Sequence, residues 1–365
     1  MRIVVVGAGA VGTCVAYRLA RTGASVTLLG ADPPERTLSA HSFAWVNPVD
    51  DGNADYWALT HEAQAAHRRL AAEIPDNGFH PAGNLHWTDS PEAATTLLEA
   101  TASYRAKGWA AEQYTPRAAR RLEPALRIPD DAGPVVHYPD DGYVVADRFL
   151  ERLRAAGRRH GLRVRLDAPV AELAGDGVRL VSGERITADA VVCCAGRTTA
   201  GLLAGRGYGL PLAGPDDPGV LTRGLLVQTS PMPPGVSLGR VVHAPGLSIR
   251  PHHGRRLVLR CQQVDVRLPQ DTGVAAAAVL ARLPEVLPAA AGVTVEAAFA
   301  GVRPMPRDGR SIVGPVPGQD KLYVIVTHSG LTLGPLLGEI AAREVTGGGE
   351  HELAGAFRPG RFAPA

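Results

Sequence analysis

The sequence predicts an α/β protein in which a parallel-sheet domain is interrupted by an inserted α+β domain built on an antiparallel sheet. Three observations carry this reading. "RIVVVGAGAVGTCVAYRLARTGASVTLLG" (Arg2 to Gly30) reads as strand, glycine turn, helix and second strand. From Gly224 to Val264 the pattern changes to alternating strands, "GLLVQT", "GLSIRP" and "RRLVLRCQ", punctuated by the turn signals "PPG" and "HHG". "KLYVIVTHSG" and the apolar "LTLGPLLGEIAAREV" then close the chain as strand, turn and helix. Parallel-sheet pieces at both ends imply a discontinuous first domain over 1–50, 140–215 and 301–350. The second domain takes 51–139 and 216–300.

The remaining elements follow in order. Asp55 to Ile74 has helical spacing, with Trp57, Leu59, Ala63 and Leu70 on the inward face. "GNLHWTD" is a short strand, and Glu92 to Lys107 and Pro116 to Leu122 are helices. Asp147 to His160 is a further helix, followed by the strand "GLRVRL". Glu184 to Gly196 reads as one buried strand ending in glycine, which returns the chain to the first sheet.

The 365 residues, 45% of them hydrophobic, suffice for two domains with cores of their own. A formal net charge of +2 argues against nucleic acid or an anionic membrane as the main partner. The basic residues are almost all arginine, Lys107 and Lys321 being the only lysines, and the basic clusters read as solvated helix faces. Met1 runs directly into an apolar strand, and no apolar run reaches the length of a membrane span. Cys14, Cys193, Cys194 and Cys261 lack metal-like spacing, so buried thiols and a cytoplasmic location are expected.

Gly7, Gly9 and Gly12 form G-x-G-x-x-G between a strand and a helix. The first allows the tight turn, the second lets the backbone approach a pyrophosphate, and the third lets helix and strand pack closely. The helix N-terminus adds free N–H groups and a partial positive charge. A dinucleotide is therefore expected. The tip of the second strand, where an acid ordinarily meets the ribose, carries Gly30, and the nearest acid is Asp32. The motif alone leaves NADP open, with Arg36 facing a 2′-phosphate.

"HSFAWVNP", "ADAVVCCAG", "GVRPMPRDGRSIVGP" and "LYVIVTHSGLTLGPLLGEIAA" occur in that order and narrow the choice. Together with the N-terminal glycines they resemble the D-amino-acid oxidase superfamily of FAD-dependent amine oxidoreductases, over nearly the whole chain. The resemblance implies a Rossmann-like FAD-binding domain with an inserted substrate domain. It implies that Gly7, Gly9, Ala10, Val11 and Gly12 cradle the pyrophosphate, while Gly30 departs from the family's ribose acid and Asp32 is the candidate substitute. Val170 matches the strand residue whose amide meets the adenine, and Gly196 matches the glycine after the returning strand. The turn from Ser39 to Trp45, with Ser42 and Ala44, wraps the phosphates and the flavin edge. Ser329, Gly330, Leu331 and Thr332 present backbone N–H groups at a helix start, where they favour the negative charge of reduced flavin.

Arg303, in "GVRP", matches the arginine that grips a substrate carboxylate; a guanidinium suits that task because it bonds in two places and stays charged. Trp45 is expected to wall the pocket. Departures are also plain. No cysteine near Val302 is available to tether FAD, "RRLVLRC" has no lysine to activate oxygen, and "APGLSIRP" lacks a tyrosine, with His243 just upstream. His252 and His253 fall in a hairpin turn where adjacent residues are not expected to share an ion, so no metal is assigned. The implied activity is oxidation of the CH–NH bond of an amino acid or secondary amine, with oxygen or another electron acceptor. The rivals are an NADP-dependent dehydrogenase and a non-catalytic flavin-binding protein.

Overall fold

The computed structural model describes residues 1–33, 36–217, 220–266, 268 and 271–362. Two large sheets organise it. The first has six strands in the order Ile312–Pro315, Leu322–Val326, Ala190–Cys193, Arg2–Val6, Ser25–Leu29 and Arg163–Arg165. All neighbours are parallel except the edge pair Ile312–Pro315 and Leu322–Val326. Alternate residues of Arg2–Val6 face opposite sides, so Ile3 and Val5 enter one core and Val4 and Val6 another.

A parallel sheet must be covered on both faces. On one face lie the helices Ala10–Arg21, Ala54–Glu73 and Gly330–Val345, which bury Val15, Leu19, Leu59, Leu336 and Ile340. On the other lies a small antiparallel sheet of Val170–Ala174, Gly177–Leu180 and Arg185–Thr187, whose Leu173, Val178 and Leu180 pack under Val4 and Val324. This corrects the expectation of one continuous strand from Glu184 to Gly196. Arg185–Thr187 belongs to the small sheet and Ala190–Cys193 to the parallel one. Asp189 sits between them, accepting the Arg2 backbone N–H at 2.7 Å. Cys193 and Cys194 are buried and face opposite cores, as expected for neighbours on a strand.

The first and last of these helices pack unusually close. Gly330, Gly334 and Gly338 recur every four residues along Gly330–Val345 and turn one bare stripe toward Ala10–Arg21. A Cβ at Gly338 would stand 2.9 Å from the Cys14 carbonyl oxygen, and one at Gly334 3.1 Å from Cys14 Sγ. Arg18, 9% exposed, ties the layer together by reaching Glu73 on the second helix at 2.7 Å and Glu339 on the last at 2.8 Å.

The second sheet has eight strands, in the order Val295–Val302, Arg223–Thr229, Arg256–Arg260, Leu247–His252, Val241–Ala244, Asn84–His86, Val135–Tyr138 and Glu112–Tyr114. It is antiparallel as expected, with one exception: Val241–Ala244 runs parallel to Asn84–His86. Leu225, Val227, Leu257 and Leu259 lie in a core covered by Thr272–Leu280, so their neighbours on the strands point to the opposite face of the sheet. Trp45–Val46, Gly142–Val144 and Phe79–His80 make a short sheet of their own beside the two. Among the described residues no helix is long and apolar enough to cross a membrane.

Candidate active site

The glycine turn sits at the C-terminal ends of the parallel strands, where such sheets place ligands. Gly7 has φ +103°, and a Cβ there would meet the Cys194 carbonyl oxygen at 2.3 Å. A Cβ at Gly12 would come within 1.8 Å of the Gly7 carbonyl oxygen. Gly9, the N-cap of Ala10–Arg21, is different, because a Cβ there meets only the Ser39 hydroxyl, at 2.9 Å. That hydroxyl accepts the Ala10 N–H at 2.9 Å. Ala10 and Gly12 are buried at the mouth of the helix, and Val11 packs against Gly330.

Ser39 also lines a cavity of about 290 Å³ between the two large sheets. Ser329, Gly330, Leu331 and Thr332 form part of its wall at the start of the last helix. Among the described residues, four α-helices are capped by a side chain at the N-terminus, from Asn53, Ser90, Thr115 and Asp271. Ser329 makes no such bond, so the last helix opens onto the cavity with unmatched N–H groups. Pro335 lies inside this helix and has no N–H for the Leu331 carbonyl one turn earlier. His67 supplies the missing donor: its Nε2 lies 2.9 Å from the Leu331 oxygen and 3.1 Å from that of Thr332. Burial pushes His67 down to about 4, so it is neutral, and donation to carbonyls places its proton on Nε2. Nothing in the sequence marked this residue except a histidine on the inward face of a helix.

The turn before the first short strand forms the opposite wall. Ser42, Phe43, Ala44 and Trp45 all line the cavity. Ala44 holds a left-handed φ of +54°, with its N–H donated to Ser42 Oγ at 3.1 Å. Arg250 fixes this turn from the antiparallel sheet, its Nε donating to the Phe43 oxygen at 2.5 Å and its Nη2 to the Ser42 oxygen at 3.1 Å. It is 2% exposed, and burial pushes its guanidinium down to about 10. Trp45 is anchored twice: its carbonyl accepts the Thr332 hydroxyl at 2.9 Å and its indole N–H reaches Asp141 at 2.9 Å. Asp141 is buried, also accepts from Trp109 at 3.0 Å, and is pushed up to about 7 by desolvation.

Arg303 lies just past the strand Val295–Val302, half-buried, and lines the same cavity. Its side chain donates to the carbonyls of Leu221 and Thr222. Burial, with Arg260 beside it, lowers its guanidinium from the ordinary range. His328 stands close by and is pushed down to about 4, chiefly by burial and then by the charges of Arg303 and Arg310, so its imidazole is neutral. Arg250 and Arg260 escaped sequence reasoning because arginine is everywhere in this chain. Only the alternation in "RRLVLRC" hinted that Arg260 faces away from the leucine core.

The other expected residues lie away from the cavity. Gly30 is buried at the tip of the second strand, its N–H and C=O bonded to Arg165 and Ala168, both at 2.8 Å. A Cβ there would stand 2.8 Å from that of Ala8. Asp32 is exposed and makes no hydrogen bond among the described residues. Val170, half-buried, opens the small sheet two residues after Ala168, paired with Leu180. Gly196 has φ +59° and turns the chain after Ala190–Cys193. One expectation is corrected. His252 and His253 do converge, with Asp147, their ligand atoms all within 4.8 Å of one another. Arg250 Nη1 stands 3.5 Å from His252 Nδ1 and puts a positive charge against the cluster.

Two helix N-termini that touch through Gly330 and Val11, one of them uncapped, fit a ligand with anionic and acceptor-rich groups. The bare Gly9 and the cavity wall from Ser329 to Thr332 fit the FAD that the sequence resemblance implies. Residues 2–344 match the FAD dependent oxidoreductase family. The glycine oxidase of Pseudomonas aeruginosa is 26% identical over 352 residues, covering 92% of each chain. Among solved structures, the glycine oxidase of Geobacillus kaustophilus matches with a TM-score of 0.85, 21% identity and full coverage of both chains. The iminodiacetate oxidase of Chelativorans sp. BNC1 matches with a TM-score of 0.81 and 24% identity, covering 98% of this chain and 99% of that one.

Proposed function

The chain belongs to the FAD dependent oxidoreductase family and is an FAD-dependent amine or amino-acid oxidase or dehydrogenase; from that premise we propose that it oxidises the CH–NH bond of a carboxylate-bearing amine to an imine. The cofactor is FAD, not NADP. One observation carries the substrate reading: Arg303 enters the same cavity as the open N-terminus of the last helix. FAD bound there would supply the two-electron acceptor, at its N5, for the hydride equivalent lost from the carbon that bears the amine.

The chain's own residues supply binding, orientation and field. Gly7, Gly9, Ala10, Val11 and Gly12 would hold the pyrophosphate on backbone N–H groups and the helix dipole. Ser329 to Thr332 would hold the polar edge of the flavin ring, where a preformed positive end costs no reorganisation. Ser42, Ala44 and Trp45, on the facing wall of the cavity and held by Arg250 and Asp141, would pack against the ring. Gly30, Val170 and Gly196 would line the adenosine end, and Asp32 would reach the ribose only from outside the strand tip. Arg303 holds the substrate carboxylate through the part of its guanidinium not committed to Leu221 and Thr222. The neutral His328 adds no charge that would compete for the carboxylate. Oxygen or another acceptor completes the cycle.

The test is anaerobic mixing of the yellow holoenzyme with D-amino acids, L-amino acids and N-methylated amines. Bleaching of the flavin by carboxylate-bearing amines, and weak bleaching by their decarboxylated analogues, is expected. No bleaching by any amine, or equal bleaching by acids and analogues, overturns the reading.

A further inference from the structure

The cavity has a second guanidinium. Arg260 lines it together with Arg303. Its Nε donates to Asp265 Oδ2 at 2.7 Å, and Asp265 is itself fully buried and pinned by the Leu225 N–H at 2.8 Å. Asp265 thereby aims the side chain by one edge. Among the described residues, Nη1 and Nη2 of Arg260 make no hydrogen bond.

The sheet register shows how the two arginines are spaced. One position beyond the paired Val227 and Leu259, Arg260 shares a row with Leu226 and Phe299. The next row on that face is Gly224 paired with Gly301, and it carries no side chain at all. The row after that is Thr222 and Arg303, joined by the Arg303 N–H at 2.9 Å. Two rows along the strands, about 14 Å, and two strand spacings across them, about 10 Å, thus separate the two arginine backbones by roughly 17 Å, and the Gly224–Gly301 row between them carries no side chain. Leu38, from the opposite wall, lies over Gly301, its Cδ1 2.4 Å from where a Cβ would be.

When substrate enters and water leaves, the free edge of Arg260 requires an acceptor, because an unpaired buried donor is costly. One carboxylate on Arg303 does not provide it. Building on the amine-oxidation reading above, we propose that Arg260 forms a second anion subsite and that the substrate is an amine bearing two carboxylates, one held at Arg303 and the other at Arg260.

Calorimetric titration of the holoenzyme with unreactive acids tests this directly. Malonate, succinate and glutarate are compared with acetate and propionate. The best dicarboxylate should bind roughly 30-fold more tightly or better, as expected for a desolvated charge pair. Arg260→Gln, whose amide can still donate to Asp265, should remove that advantage and leave monocarboxylate binding nearly unchanged. Arg260→Lys is the second variant, and it should keep only part of the advantage. Equal binding of mono- and dicarboxylates by the parent overturns the subsite, as does an equal loss of both in the variants. If amino monocarboxylates bleach the flavin as fast as amino dicarboxylates, the subsite fails while amine oxidation stands. If the dicarboxylate preference holds and no amine bleaches the flavin, the subsite stands and the proposed reaction fails.

Discussion

Around Gly7, Gly9 and Gly12 the protein offers bare backbone, whereas Arg260 and Arg303 offer the cavity charge on long side chains, with Arg250 buried behind its wall. The glycine end works by omission. Atoms are missing where a Cβ would strike a carbonyl, and the helix end is left for a ligand. The arginine end works by tethering: carbonyls of Ser42, Phe43, Leu221 and Thr222, and the carboxylate of Asp265, each fix one edge of a guanidinium. A site of the first kind suits a constant cofactor, because it tolerates no added atom. One of the second kind suits a choice among substrates, because it can be changed one side chain at a time.

The largest expected effect lies at the glycine end. Gly12→Ala would put a methyl 1.8 Å from a backbone oxygen and should cost more than about 4 kcal/mol, leaving little folded protein by thermal unfolding. Gly9→Val sharpens the point, since its Cβ meets only a hydroxyl; folded protein should be recovered without FAD, read from its absorption spectrum. At the arginine end, Arg303→Lys should leave FAD content intact and lose about 2–5 kcal/mol of substrate binding. That is a fall in kcat/KM of roughly 30- to several-thousand-fold.

His67→Ala tests the joint between the two ends. It would strip the Leu331 and Thr332 carbonyls of their donor and open a cavity, costing about 2–4 kcal/mol by denaturant titration.

Two buried groups make the pH dependence diagnostic. Asp141 is raised to about 7 when folded, so its contribution is full below its unfolded value near 3.8 and is lost as pH rises to about 7. His67 is lowered to about 4, so its contribution is full above about 6.5 and is lost as pH falls toward 4. The stability of the parent relative to Asp141→Asn should therefore decline from pH 4 to 7, and relative to His67→Ala it should rise. Parallel profiles of melting temperature for parent and variants would remove both assignments.

The same contrast explains what could be read from the sequence. Glycines at fixed spacing after an apolar strand have few alternative explanations, and the Rossmann-like start was legible to within a residue or two. The helix Ala54–Glu73 was legible from its period, but the role of His67 on it was not, because the partner carbonyls come from the far end of the chain. The split at Asp189 was hidden by an unbroken run of strand-forming residues that serve two different sheets. Arg250 and Arg260 were invisible for a simpler reason. A guanidinium becomes functional through what tethers it, and those tethers are backbone atoms or an aspartate brought in by the fold.

The glycine stripe on the last helix has a consequence for timing. Its partner helix is made near the start of the chain, and the Arg18–Glu339 bond that accompanies their packing joins residues 321 apart. Contacts so distant in sequence form late, because the intervening chain must be ordered first. A nascent chain that has completed the glycine turn therefore still lacks the helix end that walls the cavity between the two sheets. If Ser329 to Thr332 hold the flavin as proposed, cofactor capture is expected at the final stage of folding, and a chain released before residue 330 should emerge colourless however well its first strands have paired.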